Sequence, residues 1–287
     1  MVAACVVWGL SPLYYKALAH VPPLEVLSHR TLWSALFFAL ILTAQGRLAE
    51  LRGAASLRVL AVIGFAAVMI SANWFLFIFS IQSGHGVEAS LGYYIFPLVA
   101  VVFGVIFFGE RLGRAQVFAV ALAAVAVTVL TLGLGAAPWI ALALAVTFGL
   151  YGVVKKRLAL RPLVSVLVEV LLLAPLALAW LIAVHAGGLD QGKPGGWFGH
   201  SLMTSAGLAF SGVITALPLM LFSYASQKAR MATVGLVQYL NPTLQFLCAV
   251  LAFGEPFTRW HMIAFALIWT ALAIYSAAVL RAAARPA

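Results

Sequence analysis

Polar residues punctuate this chain rather than fill it. Ten apolar runs, near 2–18, 24–44, 57–82, 88–108, 114–132, 138–154, 162–184, 201–225, 232–253 and 259–280, follow one another with short polar links. A helix that crosses about 30 Å of hydrocarbon needs roughly 20 residues and about 17 at the least, so each run has the length of a span. The breaks carry helix-stopping chemistry: Pro22-Pro23, Gly84-His85-Gly86, Gly109, Gly133 to Pro138 and Pro162. The one extended link, GGLDQGKPGGWFGH from Gly187 to His200, is too short for a domain. The pattern predicts an all-α membrane protein with ten transmembrane helices.

Composition agrees. The chain is 65% hydrophobic and 8% charged, with a mean hydropathy of +1.11, where a soluble domain carries about a quarter charged residues. The net charge of +10 does not point to nucleic acid, because the basic residues stand singly between apolar runs and form no basic face. They read instead as topology signals. With the N-terminus inside, the inner links hold thirteen basic residues, Arg47, Arg52, Arg58, Arg111, Arg114, Lys155, Lys156, Arg157, Arg161, Lys228, Arg230, Arg281 and Arg285; the outer links hold three, Lys16, Lys193 and Arg259. Positive-inside bias of this size predicts a multi-pass protein of the cell (inner or plasma) membrane with both termini cytoplasmic. The first apolar run begins at once, without a basic leader, which predicts a retained helix rather than a signal peptide. Cys5 and Cys248 lie inside apolar runs and read as packing residues. No enzyme motif stands at a usable place, and neither a metal nor a cofactor is predicted.

The runs also repeat. LGYYIFPLVAVVFGVIFFGE, Leu91 to Glu110, matches LVQYLNPTLQFLCAVLAFGE, Leu236 to Glu255, without a gap at an offset of 145. Seven of twenty positions are identical: Leu91/Leu236, Tyr94/Tyr239, Pro97/Pro242, Val105/Val250, Phe108/Phe253, Gly109/Gly254 and Glu110/Glu255. Gln82 pairs with Gln227 at the same offset, and Gly9 with Gly149 and Lys16 with Lys156 at 140. The chain therefore divides into residues 1–135 and 136–287, two copies of a five-helix unit. Five is odd, so the second copy is inverted in the membrane, an organisation shared by many secondary transporters with a site near the midplane.

Several of these stretches resemble a known family. SHRTLWS (Ser28 to Ser34), NWFLFIFS (Asn73 to Ser80), EASLGYYIFPL (Glu88 to Leu98), FGERL (Phe108 to Leu112), FGLYGVVKK (Phe148 to Lys156), VQYLNPTLQFL (Val237 to Leu247) and AFALIWTALAIY (Ala264 to Tyr275) resemble the EamA group of the drug/metabolite transporter superfamily. The likeness spans nearly the whole chain. It is greatest to the chloramphenicol-sensitivity, RarD-type branch and smaller to the aromatic amino-acid exporters. It implies a ten-helix basket around a central cavity lined chiefly by helices 1, 3, 4, 6, 8 and 9.

Candidate site residues follow from depth and chemistry. Pro97 and Pro242 both lie roughly 15 Å deep, where each frees a carbonyl, of Tyr93 and of Gln238, that hydrocarbon does not tolerate. They mark kinks in a cavity wall with Tyr93, Tyr94, Gln238, Tyr239 and Asn241 beside them. Asn73 and Trp74 offer an amide and a flat donor-bearing ring; Asn73 has the alternative of bonding another helix. Trp8, Ser11 and Tyr151 extend the set, whereas Tyr14 and Tyr15, next to Lys16, read as an interfacial belt. Intramembrane charge marks function by default, which singles out Arg30 and Glu169, at matching places in the two copies. Their depths differ by roughly 10 Å, so Arg30 is expected to join His29, Glu25 or Glu88, or to reach the headgroups, and Glu169 to serve coupling or to bond a neighbouring helix as an uncharged acid. Glu110 and Glu255 are expected to cap the helix that follows each. The small-residue face Ala119, Ala123, Ala126 offers a close helix contact, and monomer and homodimer both stay open. These residues predict a secondary exporter of small amphiphilic metabolites, amino acids foremost, working by alternating access. A drug exporter of the chloramphenicol type and a non-transporting membrane scaffold or receptor are the alternatives.

Overall fold

The computed structural model describes residues 1–54, 56–135, 137–187, 195–228 and 237–283. Lys193, Arg230, Arg285 and Leu236, used above for orientation and for the repeat, lie outside these ranges, and the side chains of Gln227 and Lys228 are likewise not described. Among the described residues the protein is helical throughout and contains no strand. The helices are α1 (Val2–Ala17), α2 (Pro23–Ala44), α3 (Leu57–Gln82), α4 (Gly86–Phe108), α5 (Arg114–Leu134), α6 (Trp139–Arg157), α7 (Pro162–His185), α8 (Leu202–Lys228), α9 (Leu240–Leu247) and α10 (Arg259–Ala283). A 3₁₀ helix, Leu48–Ala54, precedes α3, and a π-helical turn, Cys248–Ala252, continues α9.

Eight of the described helices are long and apolar enough to cross a membrane: α2 to α8 and α10. The helix α1 has 16 residues, and the segment Leu240–Ala252 is shorter still. Boundaries fall where the breakers stand. Pro23 and Pro162 occupy first turns, where a missing N–H removes no intrahelical bond. Gly109 and Gly254 end α4 and the α9 segment at φ +63° and +65°. In each case the following glutamate donates its N–H six residues back, Glu110 to Gly104 O and Glu255 to Ala249 O, a backbone closure of the helix end that a left-handed glycine permits.

Packing divides the helices into two groups around a middle. One group joins α4, α5, α9 and α10 through Leu91, Tyr94, Leu98, Ala119, Ala123, Ala126, Phe265 and Ile268. The other joins α2, α7 and α8 through Phe38, Leu42, Val164, Leu167, Val170 and Ala216. Lipid is as apolar as these side chains, so helix association rests on close fit rather than on escape from water. The fit is close where side chains are small. The face Ala119, Ala123, Ala126 is spent inside the chain, against α10, and a Cβ on Gly92 of α4 would stand 2.8 Å from the Ala141 carbonyl oxygen of α6.

The two ends of the bundle differ. One carries Arg47, Arg111, Lys155, Lys156, Arg157 and Arg161, and there Glu50 binds Arg47 at 2.8 Å and Arg161 at 3.0 Å, while Lys156 pairs with Glu110. This basic end joins links that are far apart in sequence. At the opposite end two carboxylates hold pairs of backbone N–H groups. Glu25 accepts from Gly196 (3.0 Å) and Trp197 (2.8 Å), and Glu255 accepts from Gly86 (2.9 Å) and Val87 (2.8 Å). Glu255 thus caps α4, not the helix that follows it, and Glu110 caps no helix but pairs with a lysine. A helix N-terminus attracts whichever carboxylate packing brings to it, and here that carboxylate comes from the other half of the chain.

Candidate functional site

Between the two packed groups lies a cavity of about 790 Å³. Its walls come from α1, α3, α4, α6, α8 and α9, as the family resemblance implies, and also from α2, α7 and α10. It reaches Leu158, Leu160, Pro162 and Leu280 at the basic end and contains none of the residues that seal the other end. It is therefore a vestibule closed where Glu25 and Glu255 bind backbone.

Much of the wall is aromatic. Phe148 stands at the centre, 4.6 Å from Phe96 and 6.0 Å from both Tyr93 and Tyr151 by ring centroid, while Tyr93 leans edge-on against Phe77. Trp8 approaches Phe222 across the cavity at 5.9 Å. Such rings present flat apolar faces with few exposed donors.

Polar chemistry gathers at three places. The first is a knot at Asn73, whose amide nitrogen donates to the Leu144 carbonyl (2.8 Å) and to Thr147 Oγ1 (3.0 Å) and whose oxygen accepts from Tyr93 OH (2.9 Å). The amide is occupied by α4 and α6, so Asn73 borders the cavity as a helix tie and not as a free hand for substrate. The second is the Arg30 corner. The guanidinium donates from Nη1 to Tyr15 OH at 2.8 Å and lies 3.9 Å over the Trp74 ring. The third is the Lys155 corner, where the ammonium meets Glu169 Oε1 and Ser165 Oγ, Ser165 donates to Glu169 Oε1 (3.0 Å) and Tyr151 OH donates to Oε2 (3.3 Å).

Of the residues singled out in the sequence, Trp8, Ser11, Arg30, Asn73, Trp74, Tyr93, Pro97, Tyr151, Gln238, Tyr239, Asn241 and Pro242 come together on this cavity. Tyr94 does not. One residue from Tyr93 turns a side chain by about 100°, and Tyr94 is buried against Phe265 and Trp269 with its hydroxyl on Thr243. His29 stacks on Phe198 at 4.9 Å, Glu25 serves the Gly196 and Trp197 amides, and Glu88 sits on the first turn of α4 away from the cavity. None of the three partners Arg30, which turns to α1 and α3 instead. Glu169 is not a lone acid but the anion of a buried ion pair, one residue behind the cavity wall. Pro97 lies inside α4, whereas Pro242 stands in the first turn of α9, just after a break at Tyr239. Tyr14 and Tyr15 are no interfacial belt: Tyr15 is 1% exposed, and Tyr14 donates to the Gly207 carbonyl at 2.8 Å.

Other wall residues were not singled out in the sequence, among them Tyr15, Lys155, Gln245 and Phe148. For two of them a signal existed. Tyr15 stands two residues before the end of α1 and Lys155 two before the end of α6, the same register from which Arg30 and Glu169 are approached. Among the described residues no group of three or more His, Cys, Asp or Glu comes close enough to hold a metal ion.

Comparison with known proteins adds the lineage. The profile of the EamA-like transporter family matches residues 1–132 and again 136–277. An uncharacterized transporter of Vibrio cholerae is 39% identical over 98% of this chain and 92% of its own. Protein RarD of Escherichia coli is 37% identical over 95% and 91%, and the chloramphenicol-sensitive protein RarD of Pseudomonas aeruginosa is 32% identical over 99% and 95%. A crystal structure at 22% identity superposes with a TM-score of 0.63 over 95% of this chain and 94% of the other, which speaks for the fold.

Proposed function

Because this chain belongs to the EamA-like transporter family, in its RarD-type branch of the drug/metabolite superfamily, we propose that it exports small amphiphilic metabolites, amino acids foremost, by alternating access. One observation carries the reading: a cavity walled by aromatic rings is open toward the basic end and sealed at the other by Glu25 and Glu255 on backbone amides. A vestibule closed at one end is one of the two states that alternating access requires. With the basic end in the cytoplasm, as positive-inside bias prefers, this state accepts cargo from inside the cell.

The mechanism rests on two inverted halves, residues 1–135 and 136–287, rocking about the cavity. Paired features support that division: Gly109-Glu110 and Gly254-Glu255 make the same helix closure, and Pro97 and Pro242 both face the cavity. Release demands that the seals at Gly86 and Gly196 open while the basic end closes. Trp8, Trp74, Tyr93, Tyr151 and Tyr239 receive the apolar part of the cargo, and the Lys155–Glu169 pair is the candidate coupling element.

Counterflow in proteoliposomes tests the function. Saturable, protein-dependent exchange of labelled amino acids supports it. The name of the Pseudomonas aeruginosa relative favours a second reading, export of chloramphenicol-like drugs, under which exchange would be competed by drug and not by amino acid. Absence of any exchange would remove both and leave a scaffold or receptor. A rate that ignores an imposed pH gradient would assign facilitated diffusion in place of proton coupling.

A further inference from the structure

Arg30 presents a charge with nothing of its own sign-opposite kind beside it. The residue is 6% exposed and borders the cavity, yet it makes no ion pair among the described residues. Its Nη1 donates to Tyr15 OH, its plane covers Trp74, and its Nε is buried without a partner. Other carboxylates are engaged: Glu25 and Glu255 on amides, Glu50, Glu110 and Glu169 on cations. Removing an ion from water carries a penalty of several kcal/mol unless something compensates. An apolar side chain would fill this corner without that penalty. The cation therefore serves something that enters the cavity.

Gln245 complements it. The residue is 3% exposed, its Nε2 donates to Asn241 Oδ1 at 3.0 Å, and its Oε1 is buried without a partner. Of the described cavity-lining side chains, Arg30 and Gln245 are the two with such an orphaned atom, one a donor and the other an acceptor. Arg30 lies seven residues after the start of α2, and Gln245 seven before the end of the α9 segment, so both stand about 10 Å from the sealed end.

We propose that Arg30 anchors a carboxylate of the transported molecule and that Gln245 Oε1 accepts a hydrogen bond from an ammonium or other donor on the same molecule. The cargo class is then a zwitterion with a flat apolar body, whose body rests on Trp74, Phe77 and Tyr93. A guanidinium edge matches a carboxylate in a two-point fork. A phosphate dianion fits less well, because the second cation of the cavity, Lys155, is already held by Glu169. This proposal rests on the exporter reading and deepens it.

Equilibrium binding of labelled L-phenylalanine to the purified full chain in nanodiscs tests it, with phenylalaninamide, 3-phenylpropionate and phenethylamine as competitors. Phenylalanine is expected to bind about tenfold or more tightly than the two probes that lack a carboxylate. Arg30→Gln should abolish that preference, Arg30→Lys should restore it in part, and Gln245→Leu should bring phenylalanine down to the affinity of 3-phenylpropionate. Arg259→Gln, which removes a cation at the sealed end outside the cavity, should change nothing. Equal binding of acid and amide by the unaltered protein, or an undiminished acid preference in Arg30→Gln, overturns the anchor while saturable counterflow leaves the exporter reading standing. No binding of any probe together with no counterflow overturns both. Should Arg30→Gln not purify as a monodisperse protein, Arg30→Lys decides: full wild-type affinity for phenylalanine in that variant overturns the two-point fork.

Discussion

Two corners of the cavity occupy the same register and solve opposite problems. Arg30 stands seven residues after the proline that opens α2, and Glu169 seven after the proline that opens α7. Each is met by the residue two before the end of the preceding cavity helix, Tyr15 in α1 and Lys155 in α6. At Lys155 the charges cancel, and Ser165 and Tyr151 occupy the carboxylate's remaining lone pairs. At Arg30 the partner is a neutral hydroxyl and an aromatic face, which soften the cation without neutralising it. The difference teaches that position alone does not set the role. One corner is closed on itself, and the other is left open to an anion.

The contrast breaks most visibly at Glu169. Glu169→Gln strands the Lys155 ammonium in a mostly apolar wall, and unfolding in detergent should show a loss of about 3 kcal/mol, the low end for a broken buried pair because Lys155 borders the cavity. Replacing both partners, Lys155→Met with Glu169→Leu, should recover most of that loss, since neither ion then needs solvation. Failure of the double variant to recover would mean that the pair does more than cancel charge.

Arg30→Met should behave in the opposite way. Its thermal stability is expected to stay level or rise, because an uncompensated buried cation is removed, while L-phenylalanine binding falls to the level of phenylalaninamide. A destabilisation as large as that of Glu169→Gln would erase the distinction between the corners. Tyr15→Phe is the finer probe. Loss of one hydrogen bond to a charged group predicts a stability cost of about 1.5 kcal/mol and a smaller loss of carboxylate affinity than Arg30→Gln, read from the same melting and binding curves.

The exposed pair at the basic end sets the floor. The Arg47 hydrogen bond, with Arg161 near it, holds the Glu50 carboxyl below its usual range. A depressed folded-state value means that the contribution is present above the unfolded-state pKa and fades as pH falls through the folded one. Glu50→Gln should therefore lower the melting midpoint less than Glu169→Gln or Tyr15→Phe, and its curve should merge with that of the unaltered protein on acidification.

The helices were legible because a membrane span is a one-dimensional requirement. About twenty apolar residues between Pro and Gly breakers read as a helix wherever they occur, and the described boundaries fall within a few residues of the expected ones for α2 to α7. The segment around Pro242 departs most, with a break at Tyr239 and a π-helical turn after Leu247. Site membership was legible by helix and less so by side chain. α4 is apolar around its whole circumference, so no periodicity separates Tyr93, on the cavity, from Tyr94, in the packing core. For Asn73 the sequence left substrate contact and a bond to another helix equally open, because its amide's partners are a carbonyl and a hydroxyl of α6, some seventy residues on.

From the order of its residues alone, this protein is committed to a run of apolar helices, to a basic and a less basic end, and to a repeated proline and Gly-Glu in its two halves. Those properties depend on local propensity, solvation and charge count, which need no neighbour from afar. Tertiary structure alone decides that Glu255 caps α4, that Lys155 and not Arg30 meets Glu169, and that Arg30 is left facing the cavity. Each of these is a choice among several chemically competent partners, and only the packing of helices brings one of them within hydrogen-bonding distance.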